Sequence, residues 1–261
     1  MTNSDNSSEA IWNACQELIP NEDRVLFNPD ISFCLQERDF RDRLIGAKRG
    51  HVWEDWKKQA RPLIYSAKAS KYSSAEYQTQ KFTEYSRRAD NWSGFLEGLL
   101  FKENILPGSS VLDVGSNDGE EVRGINFKVT CLEPSSKLCD LGRRKFREIK
   151  FVSGTADSLP FKECEFDVYL SLRTWCIAGV LADEALSEAV RVLRPNGLII
   201  ISFPLRFEAK ERELAYAVND KVKPVAEWSY SLFSKNIGTA KTLFSPEDFI
   251  IYGRVYKDKS H

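Results

Sequence analysis

Val111-Leu-Asp-Val-Gly-Ser-Asn-Asp-Gly119 is the stretch on which the reading of this chain turns. Val111–Val114 is a short, mostly apolar strand that runs directly into a turn with glycines at 115 and 119. A strand that ends in a glycine-rich turn and feeds a helix brings backbone N–H groups close to a ligand. Gly115 and Gly119 remove the β-carbon where such a ligand approaches. Asn117 stands between them, and asparagine is the non-glycine residue that best tolerates positive φ. Taken alone, the turn also fits a plain strand–helix connection, the less favoured of the two readings.

Downstream, short β-rich runs alternate with helical stretches. Strands are predicted at Lys128–Leu132, Lys150–Ser153, Phe166–Ser171 and Leu198–Phe203, the last with three consecutive isoleucines that suggest burial on both faces. Helices are predicted at Ser136–Glu148 and Asp183–Leu193, the second stopped by Pro195-Asn-Gly197. This alternation means a parallel sheet with helices on both sides, an α/β fold. In the tail, Val225–Ile237 reads as a helix closed by Gly238. Thr239–Phe244 and Phe249–Tyr256 read as strands joined by Ser245-Pro-Glu-Asp248. That link is too short for a parallel crossover, so the last strand should run antiparallel.

Upstream of residue 107 the character changes, and charged and aromatic residues mix at helical spacing. Helices are predicted at Glu9–Leu18, Ser32–Lys48, His51–Tyr65 (with Trp53 and Trp56 on one face) and Ser74–Phe101. We therefore divide the chain into a helical covering region, 1–106, and a ligand-binding region, 107–261.

Bulk properties exclude several classes. The 261 residues carry 37 Lys+Arg against 38 Asp+Glu, a net charge of −1, without the basic excess of a typical nucleic-acid binder. None of the six cysteines forms a C-x-x-C pair, and His51 and His261 stand apart, so no metal site is expected. The polar, acidic N-terminus does not read as a signal peptide, and no apolar run is long enough to span a bilayer. The expectation is a cytoplasmic protein with reduced thiols.

Three further motifs follow the turn. Glu133 ends the second strand, twenty residues beyond Asp113, where a carboxylate can accept both hydroxyls of a ribose. The alternative is a surface glutamate ahead of a helix capped from Pro134-Ser-Ser136. In Gly154-Thr-Ala-Asp-Ser-Leu-Pro-Phe161, Asp157 can accept from an adenine amine and Leu159 and Phe161 can wall a slot for the ring; a turn with a capping Asp fits equally. Ser171 to Trp175 lie beyond the carboxyl end of the fourth strand, where open α/β sheets hold ligands.

With Glu188-Ala-Val-Arg-Val-Leu-Arg-Pro-Asn-Gly-Leu198, these motifs in this order and spacing resemble the class I S-adenosylmethionine-dependent methyltransferases, from about Pro107 to Tyr256. The G-x-G-x-x-G pattern of nicotinamide enzymes is absent. The resemblance implies a Rossmann-like, seven-stranded, mostly parallel sheet in the order 3-2-1-4-5-7-6, with strand seven antiparallel and the N-terminal helices as a cap. It implies S-adenosylmethionine as cofactor and S-adenosylhomocysteine as product. Asp113, Gly115, Ser116 and Gly119 are then expected at the methionine end. Glu133 is expected at the ribose, Pro134 or Ser135 at the adenine edge, Ala156 and Asp157 at the adenine, and Ser171 at the amino-acid portion. The chain departs from the family pattern twice: Asn117 replaces the middle glycine, and the stretch to Glu133 is about one helical turn short, so its first helix should be stubby.

The acceptor is less legible. No Asn/Asp-Pro-Pro-Tyr/Phe signature follows the fourth strand, and no histidine follows it before His261. Its pocket should be roofed by the N-terminal helices and by Leu205–Pro224. Tyr85, Arg173 and Trp175 are the catalytic candidates, with Arg88, Tyr72 and Tyr77 as further pocket residues; each also reads as structural. The favoured acceptor is a small molecule with an N or O nucleophile, with no nucleic-acid or membrane partner. Two alternatives stand: an RNA or protein acceptor, for which Arg143, Arg144, Lys145, Arg147 and Lys150 supply a basic helix, and a non-catalytic subunit that keeps the fold.

Overall fold

A computed structural model of the chain describes residues 14–23, 43–44, 46–72, 86–175, 182–204, 237, 240–244 and 248–255. The strands are β1 (Ser110–Val114), β2 (Lys128–Glu133), β3 (Lys150–Ser153), β4 (Phe166–Leu172), β5 (Leu193–Pro204), β6 (Lys241–Phe244) and β7 (Asp248–Arg254). The helices are α1 (Gly50–Tyr72), α2 (Ser86–Lys102), α3 (Ser136–Lys145) and α4 (Ala182–Val192). All seven strands form one sheet in the order β3-β2-β1-β4-β5-β7-β6. Pairing is parallel from β3 to β5, and β7 runs antiparallel to both β5 and β6, as the short tail connection requires.

The sheet is buried on both faces because its strands alternate between two apolar layers. Leu112, Val114, Tyr169, Ile199 and Ile201 point to the layer covered by Ala185, Leu186, Ala189 and Val192 of α4. Val111, Val129, Cys131, Val168, Leu170 and Ile200 point to the other, covered by Trp92, Leu96, Leu99 and Leu100 of α2 and Cys139 of α3. The three isoleucines of β5 thus split between the layers. No helix among the described residues is long and apolar enough to cross a membrane.

Several boundaries move, each for a local reason. α3 ends at Lys145 rather than Glu148, because Phe146 turns to extended φ and packs partly against the α2 layer. α4 ends one residue early, because Leu193 already pairs with Phe166 and begins β5. The Pro195-Asn-Gly197 signal therefore sits inside the strand as an irregularity, with Asn196 at φ 64° and both Asn196 and Gly197 bonded to the backbone of Val255. α1 runs seven residues beyond the predicted Tyr65, and its Trp53 and Trp56 lie together, with ring centroids 5.3 Å apart. The Trp56 indole N–H donates to Cys15 O, which ties α1 to the short helical turn before it. Residues 73–85, at the start of the predicted Ser74–Phe101 helix, lie outside the described residues, as does the predicted helix from Val225 except Ile237.

Candidate functional site

The turn after β1 is built on three left-handed residues, Gly115 (φ 75°), Asn117 (φ 55°) and Gly119 (φ 80°). Asn117 adopts the conformation for which asparagine is suited. Gly115 N–H and Ser116 N–H both donate to Leu132 O at the end of β2, at 2.8 and 3.2 Å, and Gly119 N–H donates to Ser116 O. The stubby helix predicted next is a single 3-10 turn, Glu120–Val122. The structure shows a packing role for both glycines. A β-carbon on Gly115 would stand 2.3 Å from Thr174 Oγ1, and one on Gly119 would stand 2.7 Å from the Phe151 ring. The space they leave is filled by the protein itself, and the turn is clamped against β3 and the loop after β4.

Polar groups are concentrated here. Asp113, Ser116 and Asp118 are all buried. Burial pushes the Asp113 carboxyl well above the usual carboxylate range, and the carboxylates of Glu121 and Glu133 push it further. Ser116 Oγ sits beside the Cys131 thiol without hydrogen-bond geometry, and the buried Asn117 Oδ1 has no hydrogen-bond partner among the described residues. Buried polar atoms left this way are uncommon in a folded chain and fit a site that a ligand completes.

Glu133 lies at the carboxyl end of β2, facing the turn. Its Oε2 accepts from Asn117 N–H at 3.1 Å and its Oε1 from Ser135 N–H at 3.0 Å. Two backbone donors from two loops thus fix the carboxylate. The alternative reading for the next residues holds as well: Ser135 caps α3, its Oγ accepting from Leu138 N–H. Pro134, half-buried, precedes that cap, and its carbonyl accepts from Ser153 Oγ.

After β3, Ala156 is buried and Asp157 half-buried in a turn closed by a bridge between Thr155 and Ser158. Glu188 Oε2 accepts from Leu159 N–H at 2.7 Å, and Arg191 donates to Leu159 O and Phe161 O, so α4 bolts this loop in place. Leu159 is part of the sheet core and Phe161 packs edge-on to Phe166, 5.0 Å between centroids, so both apolar side chains are engaged with the core.

Beyond β4, Ser171 Oγ donates to Val114 O and Thr174 Oγ1 bonds Val114 O and Leu172 O. Arg173, at φ 54°, is a non-glycine residue held in the left-handed region. Its guanidinium grips the buried Asp248 with two bonds, 2.8 and 2.6 Å, and lies 5.9 Å from the Trp92 ring centroid. Its backbone N–H donates to Ser202. Arg173 thus joins β4, β5, β7 and α2. Trp175 is fully buried in the α4 layer, its indole N–H beside the Tyr169 hydroxyl without hydrogen-bond geometry. Tyr85 and Tyr77, and the side chains of Arg88 and Tyr72, lie outside the described residues. On α3, Arg143 pairs with Asp140 and bonds Phe151 O, while Lys145 grips Asp118, so two of the five basic residues serve the fold.

Asp118, Lys145, Thr174 and Asp248 escape sequence reading because their partners are distant. Lys145 and Asp118 are 27 positions apart, Arg173 and Asp248 are 75. The one usable signal is that Asp118 is a charged residue inside a tight turn.

Comparison with known proteins agrees with this fold. The profile of a family described as "Methyltransferase domain" matches residues 112–201. A ubiquinone/menaquinone biosynthesis C-methyltransferase of Brucella canis is 34% identical over 137 residues, 48% of this chain and 47% of that protein. The chain thus spans about half the length of these C-methyltransferases. An uncharacterized protein of Methanocaldococcus jannaschii is 26% identical over 183 residues, 64% of this chain and 87% of its own. Among solved structures, a candidate S-adenosyl-l-methionine-dependent methyltransferase of Methanococcus maripaludis shares the fold, with TM-score 0.56, 16% identity, and coverage of 72% of this chain and 94% of its own.

Proposed function

Because this chain belongs to the class I S-adenosylmethionine-dependent methyltransferases, we propose that it transfers a methyl group from S-adenosylmethionine to a small-molecule acceptor. The observation that carries the reading is Glu133, a carboxylate fixed by the N–H groups of Asn117 and Ser135 at the carboxyl end of β2. A carboxylate held at this place suits a vicinal pair of ribose hydroxyls. The residues fit the cofactor in a second respect. Glu121 and Glu133 bring negative charge to the turn, which with burial pushes the Asp113 carboxyl up, and the cofactor carries an ammonium and a sulfonium group.

When bound, S-adenosylmethionine supplies an electrophilic methyl group for in-line displacement. This chain's residues hold and align it. The backbone of Gly115, Ser116 and Gly119 and the carboxylate of Asp113 line the methionine end. Glu133 takes the ribose, Pro134 edges the adenine, Ala156 and Asp157 hold the adenine, and Ser171 borders the amino-acid portion. The helical region 1–106 is assigned the role of covering the acceptor, in a cytoplasmic protein; residues 205–224, expected from sequence to share it, lie outside the described residues. The acceptor atom is N or O on the sequence reading. The C-methyltransferase names of the Brucella relatives favour carbon as a second reading.

Calorimetric titration with S-adenosylhomocysteine tests the proposal. Binding is expected, and Glu133→Ala should weaken it at least tenfold, since a charged hydrogen bond contributes about 1.5–3 kcal/mol. A folded protein that takes up no S-adenosylhomocysteine at millimolar concentration sinks the reading. Binding with no methyl transfer to quinone, amine or phenol acceptors supports a non-catalytic subunit instead.

A further inference from the structure

A turn with three left-handed residues needs an anchor, and in a strand–turn–helix unit the following helix supplies it through its own ladder of hydrogen bonds. Here only a three-residue 3-10 turn follows. The anchoring comes from elsewhere. The Asp118 side chain, inside the turn, is fully buried, and its Oδ2 accepts from Lys145 Nζ at 2.5 Å. Lys145 Nζ also lies 3.7 Å from Glu120 of the 3-10 turn, and Glu120 in turn pairs with Arg123.

Lys145 is the last residue of α3. The first turn of the same helix is capped by Ser135, whose N–H holds the Glu133 carboxylate. α3 therefore reaches the site at both ends: its start fixes Glu133 and its end fixes Asp118. Glu133 closes the frame by accepting from Asn117 N–H, next to Asp118. The ten residues of α3 span about 15 Å at 1.5 Å per residue. Its last turn is basic, Arg143-Arg144-Lys145, which also suits the negative end of a helix dipole.

The geometry points to Lys145 as a positioning residue for the cofactor. Its ion pair with Asp118 does for this turn what a full-length first helix would do, and so sets the backbone that meets the methionine end. This rests on the cofactor reading above. Removing Lys145 takes the ion-pair partner from a buried carboxylate inside the turn, which costs more stability than removing both partners.

The experiment compares wild type, Lys145→Met, Lys145→Arg and the Asp118→Asn/Lys145→Met double variant. S-adenosylhomocysteine affinity is measured by calorimetry well below each melting temperature, alongside thermal melts. Lys145→Met and the double variant, which both lack the anchor, should each weaken binding at least tenfold, the double variant should melt higher than the single one, and Lys145→Arg should stay close to wild type. A merely structural lysine lowers the melting temperature but leaves the affinity of the folded protein unchanged; that result overturns the assignment. A double variant that binds like wild type overturns it too, since the turn would then hold its shape without the pair. Should Lys145→Met fail to fold, Lys145→Gln, whose shorter and uncharged side chain cannot make the ion pair, takes its place, and a wild-type affinity there is equally fatal. A wild type that does not bind S-adenosylhomocysteine overturns the cofactor reading itself, a distinguishable failure.

Discussion

Asp113 shows how a single position in the turn trades stability for a binding charge. Folding carries its carboxyl from an ordinary value near 3.8 to well above it, through burial first and then the Glu121 and Glu133 carboxylates. The folded chain therefore keeps a proton that the unfolded chain has already released. The stability this contributes is present below about 3.8 and is lost as pH rises through the raised folded value. Asparagine has nearly the same shape and never ionises. Asp113→Asn, free of cofactor, should melt higher than wild type at neutral pH, and the gap should close as pH falls toward about 4. Melting curves followed by circular dichroism across that range decide it. Coincident curves at every pH would remove the buried-charge account of the site.

Between elements, the carboxyl end of the sheet is held by contacts that cross the chain order. Arg173 takes a left-handed backbone so that its guanidinium can reach Asp248 at the start of β7 and lie over Trp92 of α2. Thr174, the next residue, fills the space over Gly115. Asp248→Ala removes one partner of a buried pair, a loss of about 3–5 kcal/mol. At roughly 2–4 °C per kcal/mol for a chain of this size, melting should fall by on the order of 10 °C. A drop of a degree or two in a thermal melt would mean that Arg173 has another anchor. The contrast with what sequence reveals is physical. β1 to β5 are legible because each is an apolar run bounded by turn residues, and Asn117 is legible because its chemistry matches its φ. The antiparallel tail follows from the length of one connection. The Arg173 clamp, the Thr174 plug and the Lys145–Asp118 pair join residues whose proximity exists only after the sheet has formed. No local pattern encodes them, and Leu159 and Phe161 look like ligand walls until α4 is packed over them.

At the scale of the molecule, the change of character at residue 107 and the limits of the folding unit are separate matters. Residues before 107 read as a cover, but Trp92, Leu96, Leu99 and Leu100 of α2 are buried in the same core layer as Val111, Val129, Val168 and Ile200. Burying a side chain of that size stabilises by about 1.5–3 kcal/mol, so these four account for roughly 6–12 kcal/mol. The whole net stability of a folded domain is only about 5–15 kcal/mol. A chain shortened to begin at Pro107 therefore loses an amount comparable to everything it has, and it uncovers one face of a sheet built to be buried on both. It should be unfolded or aggregated, whereas a chain that begins at Ser86 and keeps α2 should show cooperative melting. Heteronuclear NMR spectra and thermal melts of the two shortened chains separate the cases. A dispersed spectrum and a sharp transition from the Pro107 chain would show that α2 belongs to the cover alone. The opposite result would place the folding boundary inside the helical region, with the acceptor cover hung on a helix that the sheet already owns.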